Sequence, residues 1–505
     1  MYETEDLSHH DKWIRLRDDY FGDRQIILAA NRGPVIFERT PEGDLSYQRG
    51  AGGLVTALSA LAQYLSATWI ACARTDADVE WGQGDIQLAN GHHIQVKFLN
   101  PSTEAYDGYY NVIANPLLWF IQHTMWDLPR FPIINKKTWD AWVHGYHRVN
   151  QLFANAILKI NQDSEKRPIV MLQDYHLYLV GNYIRERLTR KNAPTLMHFT
   201  HIPWPGPEYW RILPPTMRQS ILEGLCNIDI LGFQTKDDCL NFIRTIQTYL
   251  PRASARYSRQ RIWYRNHATF VRDFPISIDV QGLQRVAASD LVSEYREEIE
   301  RTTRTCSLIV RVDRIDPSKN ILRGFLAFEE MLELHPEHQG NVQFLAILVP
   351  SRLEVSEYQD TLNELMAAVG HVNAKFGNGD WEPIRIIINE NYPRAVAALQ
   401  CYDVLLVNSI ADGMNLVAKE GPVINQRDGV LILSERTGAR QQLSPGALVI
   451  SPCDIYATAE AMHQALTMPD EEKHENAKLL RWMIEREDIT LWLLEQLQAV
   501  LELGL

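Results

Sequence analysis

Cysteine is scarce and scattered in this chain. Six occur in 505 residues (Cys72, Cys226, Cys239, Cys306, Cys401 and Cys453), with no Cys-x-x-Cys among them. That usage excludes a disulfide framework and a cysteine zinc site, and fits a reducing compartment. Basic charge is in deficit as well: 50 Lys and Arg stand against 63 Asp and Glu, a net charge of −13. Broad binding to nucleic acid or to an anionic membrane is therefore not expected. No apolar run reaches the ~18 residues that a membrane helix needs. The first residues, MYETEDLSHHDKW, are polar and acidic and do not read as a signal peptide. A cytoplasmic protein is expected. Glycine is present in short clusters, but at the spacing of neither a dinucleotide fingerprint nor a Walker loop.

What is present is regular alternation. Short apolar runs at 25–30, 169–172, 195–199 and 228–233 read as strands in the first half. Runs at 307–310, 342–349, 384–388, 404–407, 430–433 and 448–450 do so in the second. Continuous apolar strands of this kind suit parallel sheets covered on both faces. Helical patterns lie between them. Trp142, Tyr146, Val149, Leu152, Phe153, Ala156 and Ile157 repeat at helical spacing, and 235–250 carries a capping signal (Thr235, Asp238) and a stop at Pro251. Such alternation indicates an α/β, doubly wound fold, and the length calls for two large domains. The boundary falls near Phe274-Pro-Ile-Ser-Ile-Asp279, read as a short strand. That gives an N-terminal Rossmann-like domain at 1–273 and a second at 274–485. The last helix, 486–505, packs back on the first. Two such domains facing a central cleft hold ligands at the carboxyl ends of the strands.

Most suggestive residues follow a strand. Asp412-Gly-Met-Asn-Leu-Val-Ala-Lys-Glu420 follows the run 402–408 and makes a strand–loop–helix unit whose helix start suits a phosphate. Glu420 lies two turns in, within reach of an attached ribose. Arg311-Val-Asp-Arg314-Ile-Asp-Pro-Ser-Lys319 follows the strand at 307–310. Arg314 and Lys319 are able to straddle a diphosphate; a solvated charged loop is the plainer reading. Asn31-Arg32-Gly33-Pro34 and Gly50-Ala-Gly52-Gly53-Leu54 would let backbone approach a phosphate or sugar, or are simply loops. Gln173-Asp174-Tyr175-His176 and His201-Ile-Pro-Trp-Pro205 end neighbouring strands. Asp174 and His201 either face one reacting hydroxyl or cap a helix and order a turn. Tyr110 and Trp119 read as core by composition. Arg352, also at a strand end, reads as a phosphate clamp or a surface charge. Asp76-Ala-Asp78 matches a metal-binding tripeptide but reads as a solvated loop, and no metal or other cofactor is expected.

These blocks, in this order, resemble the trehalose-phosphate synthases, retaining glycosyltransferases of family 20 with the GT-B fold. The resemblance runs from about Gln25 to the C-terminal helix. It implies that Arg314 and Lys319 hold the donor diphosphate, with Gly413, Met414, Asn415 and Leu416 adding backbone contacts. Glu420 would hold the ribose, and Asp412 and His201 the transferred glucose. Gly53, or its neighbour Gly52, would lie under the donor phosphates. Asp174 would face the acceptor sugar, and Arg32, Tyr110, Trp119 and Arg352 would hold its phosphate. The implied reaction moves glucose from UDP-glucose, or another nucleotide-glucose, to glucose 6-phosphate. Ala411 departs from the family pattern, where Arg is common, and Gly421-Pro422 stands where an aromatic residue is usual. Cyclitol coupling, a glycerol 3-phosphate acceptor or a non-catalytic sugar-phosphate sensor are the alternatives. No Asp-x-Asp-Gly-Thr phosphatase motif is present, so the product is expected to keep its phosphate. A homo-oligomer is left open.

Overall fold

Apolar runs rich in Ile, Val and Leu form the buried strands of two sheets, and the loops that leave them carry the polar residues of interest. A computed structural model describes residues 24–49, 67–87, 93–189, 191–256, 258, 260–303, 306–352 and 356–504. Gly52 and Gly53 lie outside the described residues. The chain divides into two compact units, one of Met1–Pro275 with Thr490–Leu505 and one of Ile276–Ile489.

The strands of the first unit are β1 Ile26–Ala29, β2 Val35–Arg39, β3 Leu45–Arg49, β4 Ala67–Cys72, β5 Gln83–Gln87 and β6 His93–Leu99, then β7 Ile169–Gln173, β8 Thr195–Phe199, β9 Ile230–Phe233, β10 Ser254–Arg256, β11 Arg261–Tyr264 and β12 His267–Asp273. Ten of them form one sheet in the order β10-β11-β12-β9-β8-β7-β1-β4-β6-β5, and β2 pairs with β3 as a hairpin. From β12 to β6 every neighbour is parallel; the antiparallel pairs sit at the two edges. β4, β6 and β5 lie on one side of β1 and β7 to β12 on the other, so the order reverses between β1 and β7. Ligands of open α/β sheets bind at such a switch point. The C-terminal helix Ile489–Glu502 joins this unit, where Trp492 donates its indole N–H to Phe274 O at 3.1 Å.

The second unit holds β13 Ser307–Arg314, β14 Val342–Val349, β15 Ile384–Ile388, β16 Val404–Val407, β17 Val430–Ser434 and β18 Ala447–Ile450. All run parallel in the order β15-β14-β13-β16-β17-β18. This is the doubly wound dinucleotide-type order, and its switch point lies between β13 and β16. Phe325, Phe328, Met331 and Leu332 of the helix Ile321–Leu334 share one core with Phe344, Leu406 and Met462.

Three sequence expectations change. The strand expected to stop at Val310 continues to Arg314, because Arg311 and Asp313 pair with each other inside the sheet. Residues 274–279 form no strand; Pro275 lacks the N–H that a ladder needs. Asp76-Ala-Asp78 is not a solvated loop but the start of the helix Asp76–Trp81. Asp78 is 1% exposed, and its carboxylate accepts the backbone N–H of Phe37, Arg74 and Thr75 at 2.8, 2.8 and 3.2 Å. It is a structural cap.

Candidate active site

In the second unit the loop after β13 is stapled to the loop after β16. Asn320 sits in the left-handed region at φ 59 and donates to Asn408 O (2.9 Å) and Pro452 O (2.7 Å). Ile410 donates its N–H to Ser318 O at 2.9 Å. The staple brings Lys319 onto Asp412: the ammonium donates to Asp412 Oδ2, with the two side chains only 13% and 16% exposed. Burial pulls the Lys319 pKa down, but Asp412 and Asp313 outweigh it and raise the ammonium above its ordinary range. Removing one partner of a buried pair typically costs about 3–5 kcal/mol, so Lys319 is firmly charged and firmly placed. Beneath it, fully buried Arg311 bonds Asp313 Oδ2 at 2.9 Å and donates to Lys319 O. Gly324 makes room for that guanidinium, since a Cβ there would lie 2.6 Å from Arg311 Nη1.

Asp412 is held from its other side as well. Asn415 Nδ2 donates to the same oxygen at 3.0 Å, while Asn415 Oδ1 accepts the Ala418 N–H at 3.2 Å in the first turn of the helix Val417–Ile424. Asn415 has φ 71, a conformation that Asn tolerates better than most residues. The segment after β17 closes over this loop, with Gly438 N–H on Asp412 O at 3.0 Å and Ala439 N–H on Met414 O at 3.0 Å. A Cβ on Gly438 would meet Gly413 O at 1.8 Å, so only glycine fits. Leu416 and Met414 flank the helix start, Met414 being buried. Glu420 hydrogen-bonds Tyr392, and burial pushes its pKa up to about 7. Its neighbour Lys419 is buried on Ile276 O at 3.0 Å, with desolvation lowering its pKa to about 8.

Arg314 ends β13 with its side chain exposed. Arg352 lies near the turn of Lys319 through Asp316. Its Nη1 is 3.5 Å from Asp316 Oδ2 and donates to the Tyr358 hydroxyl, which donates to Asp316 Oδ2 at 3.2 Å. Asp316 in turn accepts the Ser318 N–H at 3.0 Å. Arg352 has φ 49, a conformation costly for its side chain. The sequence departure at Gly421 is explained by packing. A Cβ there would lie 2.4 Å from Leu405 Cδ2 and 3.2 Å from a carbon of the buried Tyr402 ring, so Tyr402 fills the adjoining space.

In the first unit Asp174 follows β7 at φ 69, ψ 173, a region essentially reserved for glycine. It is no helix cap: its side chain caps nothing, and Oδ1 instead accepts the His201 N–H at 3.2 Å. His201 Nε2 meets Gln173 Oε1 at 2.9 Å, and His198 Nε2 meets Asp174 O at 3.1 Å. Burial lowers both imidazoles to about 3, so both are neutral at physiological pH. Arg32, after β1, donates to the Tyr110 hydroxyl at 3.5 Å. Tyr110 stacks between Tyr106 (centroids 5.5 Å) and His176 (5.9 Å). Trp119 lies deeper, 6% exposed and stacked on His123 at 3.9 Å, with Tyr175 at 5.7 Å. Asp316, Asn320, Tyr358, Tyr392 and Gly438 were not singled out from sequence. Only their three-dimensional neighbours mark them.

A family model described as Glycosyltransferase family 20 matches residues 24–502. The α,α-trehalose-phosphate synthase [UDP-forming] of Schizosaccharomyces pombe is 33% identical, over 94% of this chain and 90% of its own length. A solved E. coli structure, described as trehalose-6-phosphate bound with UDP-2-fluoro glucose, superposes with a TM-score of 0.80 at 28% identity. The match covers 94% of this chain and 98% of that one. The UDP-forming α,α-trehalose-phosphate synthase of Burkholderia xenovorans in complex with glucose-6-phosphate gives 0.79 at 26% identity, over 94% and 100%.

Proposed function

The chain belongs to glycosyltransferase family 20, and from that premise we propose that it transfers glucose from UDP-glucose to glucose 6-phosphate with retention, giving α,α-trehalose 6-phosphate and UDP. Its parallel-sheet α/β build is that of the GT-B fold. The observation that carries the reading is the Lys319–Asp412 pair at the switch point of the second sheet, beside the start of the helix Val417–Ile424. Two kinds of charge need holding there: a departing diphosphate and a sugar with developing positive character.

In this reading Lys319 and Arg314 stabilise the diphosphate as the bond from its oxygen to the anomeric carbon breaks. Gly413, Met414, Asn415 and Leu416 add backbone contacts. Glu420 holds the ribose. Asp412 and neutral His201 hold the glucose hydroxyls. Asp174 positions the acceptor sugar, and Arg32, Tyr110, Trp119 and Arg352 hold its phosphate. The acceptor hydroxyl attacks from the face the diphosphate leaves, and its proton passes to a diphosphate oxygen. Positioning and leaving-group stabilisation then supply the rate. The transfer uses no metal, because Lys319 and Arg314 fill the cationic role. A reducing, cytoplasmic setting fits a chain with six scattered cysteines and no Cys-x-x-Cys.

The test is nucleotide diphosphate release from UDP-, GDP- and ADP-glucose, with and without glucose 6-phosphate, and NMR of the product. Release from UDP-glucose that depends on glucose 6-phosphate, with an α,α-1,1 linkage, is expected. Folded protein that binds nucleotide but releases none would overturn the proposal. Release with glycerol 3-phosphate in its place would reassign the acceptor.

A further inference from the structure

A second concentration of chemistry lies in the same unit, at the opposite end of the helix that follows Lys319. The helix Ile321–Leu334 has 14 residues, roughly 21 Å of rise. Its end turns through His335 and the short 3-10 segment Pro336–His338. The helix Ile455–Thr467, which shares its core, presents Glu460 and His463 to that turn. One nitrogen each of His335 and His463 and one oxygen of Glu337 lie within 4.8 Å of one another.

The hydrogen bonds around these atoms give them their character. His335 Nε2 meets Glu460 Oε1 at 2.9 Å. A carboxylate there fixes the proton on Nε2 and leaves Nδ1 with its lone pair, the arrangement that orients metal-binding imidazoles. That Nδ1 faces Glu337 Oε1 at 3.7 Å, and His463 Nδ1 faces the same oxygen at 4.0 Å. Both separations exceed a hydrogen bond and are close to the spacing of two donors sharing one ion with bonds of about 2.1 Å. The side chains of His335, His463 and Glu337 are 20%, 27% and 61% exposed, so an ion has access.

We infer that His335, Glu337 and His463 form a divalent-metal site of the zinc class, separate from the transfer chemistry, that ties the 335–338 turn to the helix Ile455–Thr467. Two imidazoles and a carboxylate match the ligand preference of Zn²⁺, with water completing the shell. Loading requires two local adjustments. His463 Nδ1 now shares a proton with His338 Nε2 at 2.9 Å, and that hydrogen bond must break. The rings of His335 and His463 stack parallel at 3.6 Å, and they must tilt to bring one ion into both planes.

The experiment is calorimetric titration of the chelator-stripped full chain with ZnCl₂, and of a His335→Gln/His463→Gln variant. About one equivalent is expected in the wild type, bound at least ~tenfold more tightly than in the variant. Zinc should raise the wild-type Tm by about 2 °C or more and leave the variant unmoved. Co²⁺ in place of zinc should give the visible bands of a tetrahedral nitrogen–oxygen site. Glu337→Gln, at an exposed position, repeats the test if the double variant folds poorly. Glucosyl transfer should be the same with and without zinc, so failure of the site and failure of the enzyme reading are separable. No equivalent in the wild type, or equal binding in the wild type and the variant, overturns the inference.

Discussion

The two units treat the loops at their switch points in opposite ways. In the second, the residues are held by charge: Lys319 on Asp412, Arg311 on Asp313 and Arg352 beside Asp316, all largely out of water. In the first, two neutral histidines and an aspartate in a glycine-only conformation are held by hydrogen bonds to one another and to the Gln173 side chain. The contrast matches what each is proposed to grip. A leaving diphosphate changes charge during the reaction and calls for fixed cations. A sugar hydroxyl does not, and there a neutral imidazole such as that of His201 serves beside a carboxylate, its protonation staying constant.

The largest test of this contrast is Lys319→Ala. Turnover, read as UDP release at saturating substrates, should fall on the order of a hundredfold or more, with a thermal melt to confirm folding. Near-normal turnover would end the assignment of charge to the second unit. Arg352→Ala comes next. A charge-assisted hydrogen bond of about 1.5–3 kcal/mol predicts a rise of roughly tenfold or more in KM for glucose 6-phosphate. The KM for UDP-glucose should move much less, and a donor-only effect would refute the role. His201→Asn removes a neutral contact worth about 1 kcal/mol, so a loss of roughly fivefold is expected. A hundredfold loss would erase the distinction between the units.

The smallest effect is in pH. Burial raises Glu420 from 4.5 to about 7, so the folded chain holds a proton there that the unfolded chain has lost. That contribution to stability is present below about 4.5 and fades as pH rises through 7. The ionised carboxylate is the better acceptor for ribose hydroxyls, so affinity for UDP-glucose should climb a few-fold between about pH 6 and 8. Glu420→Gln should flatten the climb. A wild-type affinity without pH dependence in this window would remove Glu420 from the ribose.

Legibility in the sequence followed burial. Strands buried on both faces, such as Thr195–Phe199 and Val342–Val349, were readable to the residue. Strands with polar alternation at the sheet edges, such as β5 and β10, were not, because half their residues face water. The Arg311–Arg314 stretch reads as a loop since charge normally marks one; only the buried pairing keeps it in the sheet. Asp412, Lys319, Asp174 and His201 were legible because they follow strands. The neighbouring Asp316, Tyr358, Asn320 and Gly438 were not, since each is tied in through a contact that crosses tens of residues of chain. Trp119, read as core from composition, is packed as core would be.

Lys319 and Asp412 neutralise each other where the diphosphate is proposed to sit. Donor capture at that proposed seat would be an ion exchange: the arriving anion would have to displace a carboxylate already in residence. Chloride or inorganic phosphate, with one weak grip, competes poorly against that internal counter-ion. A nucleotide-sugar gripped at ribose and diphosphate together can dislodge it. On that reading the pair would work as a threshold, keeping the lysine from the small anions that surround it in far greater number.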